Sequence, residues 1–67
     1  MHGTIKTLVA DRGFGFIRDG AGKEWFFHRT DVLPRKDAFV DLSVGDAVTF
    51  EEGDSDKGPR AADVRLV

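Results

Sequence analysis

The chain has 67 residues, which leaves room for a single domain over residues 1–67 with one small core. With 40% hydrophobic and 33% charged residues it has the composition of a soluble globular protein, and the absence of cysteine excludes disulfides, thiolate metal sites and cysteine nucleophiles. A net charge of −2 does not favour a protein that coats DNA through overall positive charge, so binding of a polyanion would depend on how the charges are distributed.

Short segments with strand-like alternation follow one another along the chain, and amphipathic helical periodicity is nearly absent. Strands are predicted at 4–9, 14–18, 23–28, 47–52 and 61–67. Residues 10–13 and 19–22 predict short turns between the first three strands, and 52–59 predicts a polar loop before the last. The long segment 29–44 is predicted to be irregular, apart from one turn of 3₁₀ helix over 30–33 that Pro34 ends.

Five short strands in so small a chain would leave two unpaired edges if they formed an open sheet. Closing the strands into a barrel removes both edges and encloses one core. Three strands joined by short turns, followed by a long connection to a final hairpin, therefore predict an all-β fold, a five-stranded antiparallel Greek-key barrel of the OB type.

The most informative segment is Arg12-Gly13-Phe14-Gly15-Phe16-Ile17. Because side chains alternate between the two faces of a strand, Phe14 and Phe16 share one face and Ile17 takes the other. Gly13 and Gly15 add no side chains around Phe14, so we expect that a flat ligand can approach this ring.

The third strand repeats this arrangement in Trp25-Phe26-Phe27-His28. Phe26 and His28 share one face and can join Phe14 and Phe16 in a continuous surface of four rings, which we call the ring platform. Alternation cannot bury both faces of a strand in one small barrel, so the opposite set is predicted to form the core: Ile5, Ile17, Trp25, Phe27, Val48 and Val64. A contiguous exposed aromatic patch indicates an interaction site.

Exposed rings beside cations suit single-stranded nucleic acid, because bases stack on the rings at about 1–3 kcal/mol each and phosphates pair with Lys and Arg. Stacking is available to every base, so low sequence specificity is expected. The cations predicted to flank the platform are Lys6, Arg12, Lys23 and Arg29. The alternative is a small β-barrel protein-interaction module that binds a peptide through the exposed aromatic face.

The segment 12–17 matches the first ribonucleoprotein motif, and Trp25-Phe26-Phe27-His28 resembles the second. With Gly3-Thr4-Ile5-Lys6 ahead of them and Gly-Pro-x-Ala-Ala-x-Val at 58–64, essentially the whole chain resembles a bacterial cold-shock protein. The first motif also occurs in RRM domains, but these need two helices and a longer chain. The resemblance implies a barrel that binds single-stranded DNA or RNA, acts as an RNA chaperone and is not an enzyme.

The resemblance implies that the platform rings, Lys6 and Arg12 contact the bound strand, and it adds Lys57 and Phe39, a further aromatic residue in the long connection. The complete predicted set is Lys6, Arg12, Phe14, Phe16, Phe26, His28, Arg29, Phe39, Lys57 and Arg60. Thr7, Leu8 and Arg29 stand where the family usually has aromatic side chains. We therefore expect weaker binding than in family members that keep all of these rings.

Other features of the sequence predict no further chemistry. His2 and His28 are too few for a metal site, and Glu51 and Glu52, adjacent on a strand, point to opposite faces and do not form an acid–base pair. We expect no catalysis, cofactor, metal or small-molecule substrate. Apolar runs fall far short of the ~20 residues that span a bilayer, and residues 1–4 lack a secretory apolar segment, so a cytoplasmic protein without a membrane partner is expected. A monomer is expected by default, and strand exchange between two barrels is the alternative.

Overall fold

Five strands account for most of the fold in the computed structural model, which describes residues 1–33, 36–53 and 58–67. Their bounds are β1 (His2–Val9), β2 (Phe14–Asp19), β3 (Glu24–His28), β4 (Ala47–Gly53) and β5 (Arg60–Leu66). Each predicted strand is confirmed, with small differences at its ends. The strands form a closed barrel in the order β1-β2-β3-β5-β4, which confirms the predicted fold class.

The strands pair antiparallel except where β3 meets β5, and this parallel pairing closes the barrel. We call this pairing, together with residues 29–33, which follow β3 and also contact β5, the β3–β5 seam. Its strand pairing places Phe26 opposite Arg60. Backbone hydrogen bonds run from Phe26 N to Pro59 O at 3.1 Å and from Leu33 N to Val64 O at 2.8 Å. The prediction of antiparallel pairing is therefore correct everywhere but at this closure.

Two register shifts bend the strands. The pairing of β1 with β2 shifts between Ile5 and Thr7, so Lys6 is an extra residue that has no direct partner on β2. The pairing of β4 with β5 shifts between Thr49 and Glu51. At this shift β5 contains Asp63, whose φ of 52° is in the left-handed region. The first shift places Thr7 directly opposite Phe16.

The core lies on the inner face of the barrel, as alternation predicts. Each residue predicted to point inward is at most 2% exposed: Ile5, Ile17, Trp25, Phe27, Val48 and Val64. Phe50 also packs there, with its ring centroid 5.3 Å from that of Trp25. The large Trp25 ring is thus accommodated inside the barrel.

The long connection between β3 and β4 contains two 3₁₀ helices, Arg29–Asp31 and Lys36–Asp41. The first overlaps the predicted turn of 3₁₀ helix, and the second was not predicted. The second helix carries Phe39, which is 6% exposed and has its ring centroid 6.0 Å from that of Phe27. The helix places this ring in the core, so Phe39 does not offer the exposed face that a stacked base would need, although it was predicted to bind nucleic acid. Within the described residues, no helix is both long and apolar enough to cross a bilayer.

Candidate nucleic-acid interface

The ring platform lies on the outer face of β2 and β3. Antiparallel register places Phe16 opposite Phe26 and Phe14 opposite His28. All four side chains are partly exposed, whereas Gly15 and the other residues that alternate with them are buried. The platform rings therefore share one outward face, as the sequence predicts.

The three phenylalanines of the platform contact one another. The Phe14 and Phe26 ring centroids are 5.5 Å apart with the planes tilted by 36°, and those of Phe16 and Phe26 are 5.8 Å apart at 69°. Phe14 and Phe16 meet edge to face at 6.1 Å. Aromatic pairs attract each other at these separations. The rings are consequently held in position before any base stacks on them.

Gly15 lies between two platform residues in sequence, but a side chain at this position would point to the inner face of the barrel. A Cβ atom at this position would lie 2.6 Å from the Thr7 carbonyl oxygen and 3.0 Å from the Phe27 ring. A side chain here would thus collide with the backbone of β1 and with the core. The expectation that this glycine opens a path to Phe14 is wrong, since Gly15 faces away from the platform.

Two residues of the first strand, Thr7 and Val9, lie on the platform face, and Val9 pairs with Phe14. Thr7 is exposed and lies opposite Phe16, so the two side chains project from the same side of the sheet. Leu8 lies opposite the buried Gly15 and packs against the core. Thr7 and Leu8 both replace aromatic residues that are usual in cold-shock proteins. The replacement at Thr7 therefore removes a ring from the platform, whereas the replacement at Leu8 lies on the inner face.

Three of the predicted cations lie at exposed positions around the platform. Lys6 pairs with Glu24, and both side chains are about half exposed, at 47% and 46%. Such a pair contributes little to stability, so Lys6 can exchange Glu24 for a phosphate at low cost. Arg12 and Arg29 are also exposed, and neither pairs with a carboxylate of the residues that the structure describes. The Arg29 side chain passes over Gly13, where its Cδ would lie 2.9 Å from an added Cβ.

Two further predicted cations differ from expectation. Arg60 donates from Nε and Nη2 to the carboxylate of Asp31, at 3.0 to 3.1 Å. The pair joins β5 to the first 3₁₀ helix, so Arg60 has a role within the fold, and its contact with nucleic acid stays a prediction. Lys23 lies over the Trp25 ring, 4.5 Å from its centroid. Lys57 is outside the described residues.

His28 is tied to the first 3₁₀ helix as its N-cap. Its Nδ1 accepts a hydrogen bond from Thr30 N at 3.3 Å, and its backbone N donates to Asp31 Oδ2 at 2.9 Å. Sequence reasoning missed Thr30 and Asp31 as supports of the platform. The sequence feature that could have identified them is the spacing of a capping box, in which the polar His28 is followed three positions later by the acidic Asp31.

The chain matches the family described as the 'cold-shock' DNA-binding domain over residues 1–67. It belongs to this family. Cold shock protein 1 of Lactiplantibacillus plantarum is 43% identical over 63 residues, which are 94% of this chain and 92% of the relative. The cold shock-like protein of Aquifex aeolicus is 38% identical in an alignment that covers 98% of this chain and 93% of the relative.

A solved structure has the same fold. The chain named drosophila Unr CSD456 aligns with a TM-score of 0.68 and 26% identity over 98% of this cold-shock domain. The domain spans 26% of that longer chain. The barrel is therefore the one that the resemblance implied.

The turn between β2 and β3 holds Trp25 inside this cold-shock domain. Asp19 Oδ2 accepts a hydrogen bond from Trp25 Nε1 at 2.9 Å, and Oδ1 accepts from the backbone of Ala21 and Lys23 at 2.9 Å. The Trp25 bond is the main reason that the pKa of Asp19 lies below its ordinary value of 3.8. The carboxylate thus satisfies the one polar atom of an otherwise buried side chain. In the described parts of the chain, no cluster of three or more His, Cys, Asp or Glu side chains could hold a metal ion.

Proposed function

We propose that this cold-shock domain binds single-stranded DNA or RNA on the ring platform and acts as an RNA chaperone that keeps RNA unstructured. The observation that carries the proposal is the shared outward face of Phe14, Phe16, Phe26 and His28. Stacking on these rings would select single strands over duplexes, because the bases of a duplex have their faces covered. We propose that the protein does this as a cytoplasmic monomer and without catalysing a reaction.

Exposed cations at both ends of the platform support this proposal. Lys6 lies beside Thr7 at one end, and Arg12 and Arg29 lie near Phe14 at the other. For single strands the logarithm of the binding constant falls with the logarithm of salt concentration by about 0.7 for each phosphate neutralised. Contacts from these three side chains would therefore give a slope of about −2 despite the acidic composition. The family's description as DNA-binding also favours a nucleic acid over a peptide.

The proposal is tested by titrating the protein with an unstructured thymidine oligonucleotide at several salt concentrations. We expect Phe14→Ala to weaken binding by about 1–3 kcal/mol, the contribution of one stacked base. The matched control is Val44→Ala, which truncates an exposed apolar side chain outside the platform and should leave affinity unchanged. Opening of a weak RNA hairpin labelled with a fluorophore and quencher measures the chaperone activity.

Three results would contradict the proposal. The first is equal binding by wild type and Phe14→Ala with both proteins folded, since the platform would then not carry the contact. The second is tighter binding of a duplex than of either of its single strands. The third is displacement of the oligonucleotide by a Pro-rich peptide at lower concentrations than by a second oligonucleotide, which would favour the peptide-binding alternative.

A further inference from the structure

His28 differs from the other platform rings because it carries polar atoms, and the fold constrains one of them. Its Nδ1 lies 3.3 Å from Thr30 N and 3.2 Å from Thr30 Oγ1. A backbone N–H only donates, so Nδ1 is the acceptor in this contact. In a neutral imidazole one nitrogen accepts and the other carries the proton. The contact with Thr30 therefore places the proton of His28 on Nε2.

A second set of contacts fixes the backbone beneath this ring. Asp31 Oδ2 accepts from His28 N at 2.9 Å, and the same carboxylate receives the bidentate guanidinium of Arg60. Asp31 is the more buried partner of that pair, with its side chain 13% exposed. Because Arg60 belongs to β5, the end of β3 is held against a neighbouring strand. His28 is thus fixed both in the position of its backbone and in the nitrogen that it presents.

Phe14 lies directly opposite His28 in the register of β2 with β3. Side chains that are directly opposite on one face are close enough to touch a common ligand. A base stacked on Phe14 would therefore bring its edge toward the imidazole. Among the described residues no hydrogen-bond partner occupies Nε2 of His28.

We propose that His28 is a specificity-determining residue of the platform, which donates a hydrogen bond from Nε2 to a carbonyl oxygen of the base stacked on Phe14. The inference rests on the proposed function and assigns a chemical preference to the same site. Thymine, uracil, guanine and cytosine each offer such an oxygen, whereas adenine offers only ring nitrogens and an amino group. One position of the bound strand thus discriminates between bases, while the phenylalanines accept any base.

The inference is tested with a thymidine heptamer and a series in which one thymine at a time is replaced by 2,4-difluorotoluene. This analogue has the shape of thymine but lacks its strong acceptors. We expect wild type to lose about two- to tenfold in affinity at one position of the series, the usual net worth of one neutral hydrogen bond. His28→Phe keeps a ring for stacking but has no donor, and it should show no such loss at any position.

Thr30→Ala is the matched control, because it removes the hydroxyl and keeps the backbone N–H that fixes the tautomer. It should discriminate as wild type does, and loss of discrimination in this variant would contradict the assigned cause. Nitrogen NMR of the His28 ring at pH 8 gives an independent reading. We expect the tautomer protonated at Nε2, and a ring protonated at Nδ1 would overturn the proposal without any binding measurement.

Different results would contradict the proposed function and the proposed role of His28. If wild type does not bind the thymidine heptamer, the proposed function itself is wrong. If wild type binds the heptamer and every substituted strand equally, single-strand binding stands and the hydrogen bond from His28 does not. Unfolding midpoints of wild type and His28→Phe, measured in urea, verify that both proteins are folded at the titration temperature.

Discussion

Phe27 and Phe26 are neighbours in β3, yet one is fully buried and the other lies in the ring platform. The inner face of β2 and β3 carries Trp25 and Phe27 against the core, and the outer face carries phenylalanines that contact one another. The same kind of side chain therefore stabilises the fold on one face and stays available to a ligand on the other. Position in the strand, and not residue type, decides which role an aromatic residue has.

The sharpest test of this difference is to truncate the two neighbours separately. Phe27→Ala should lower the free energy of unfolding by about 3–5 kcal/mol, because it opens a cavity in the core. Phe26→Ala should cost only about 1–2 kcal/mol, since its ring is partly exposed, but should weaken oligonucleotide binding by about 1–3 kcal/mol. Urea melts and titrations on both variants give the two numbers, and equal stability losses would remove the distinction between the faces.

Gly15→Ala tests whether the lack of a side chain at this position is needed for packing of the core or for binding on the platform. We expect a loss of about 1–3 kcal/mol in stability, because the added methyl group meets the Thr7 carbonyl oxygen and the Phe27 ring. Binding by the folded fraction should change little, since the methyl group points away from the platform. Gly20→Ala is the control, as a Cβ there meets nothing within 4 Å. A stable Gly15→Ala variant with weak binding would instead support the role first expected from the sequence.

Thr7→Trp extends the outer face by one ring. Thr7 is exposed opposite Phe16, so a tryptophan there should strengthen binding of a pyrimidine-rich strand by about 1–2 kcal/mol, roughly one stacked base. Arg29→Phe should do less and should also reduce the salt dependence, because it exchanges a cation for a ring. Calorimetric titration against strands of increasing length locates the gain. An unchanged affinity in folded Thr7→Trp would place position 7 outside the path of the strand.

The hydrogen bond between Trp25 and Asp19 predicts how the stability of the protein depends on pH. The pKa of Asp19 is lowered mainly by this bond, so its stabilising effect is present above pH 3.8 and is lost as the pH falls through the lower folded-state pKa. Asp19→Asn should therefore be less stable than wild type at pH 7, and the difference should shrink as the pH falls below 3.8 and through the lowered pKa of Asp19. Because Trp25 is buried, its emission should be blue-shifted in the folded state and should follow unfolding in both proteins. Added oligonucleotide should hardly quench it, and strong quenching would place Trp25 on the outer face.

Alternation accounts for most of what the sequence predicts correctly. A period of two residues separates Trp25 and Phe27 from Phe26 and His28 without knowledge of any partner strand. Phe39 lies in a segment without that period. There, the spacing of Ala38, Phe39 and Leu42 was the only sign of a helical turn with an inward apolar side.

Pairs of side chains that are distant in sequence could not be predicted from the sequence for a different reason. Arg60 and Asp31 are 29 positions apart, and only the closed barrel brings them together. A lone arginine near a polar loop gives no indication of whether its partner is a phosphate or a carboxylate. Local patterns thus predict which face a residue occupies, whereas the partner of a charged side chain depends on how the chain closes.

The sparse pairing of the β3–β5 seam has a consequence for how the chain folds. β1, β2 and β3 meet through short turns, but the seam joins segments distant in sequence, so its loop-closure entropy is unfavourable until the rest of the barrel has formed. We expect the seam to close last during folding and to open first in the native state. The amides of Phe26 and Leu33, which donate across it, should exchange with deuterated solvent sooner than those that pair β1 with β2. Equal protection of both sets would mean that the barrel opens only as a whole.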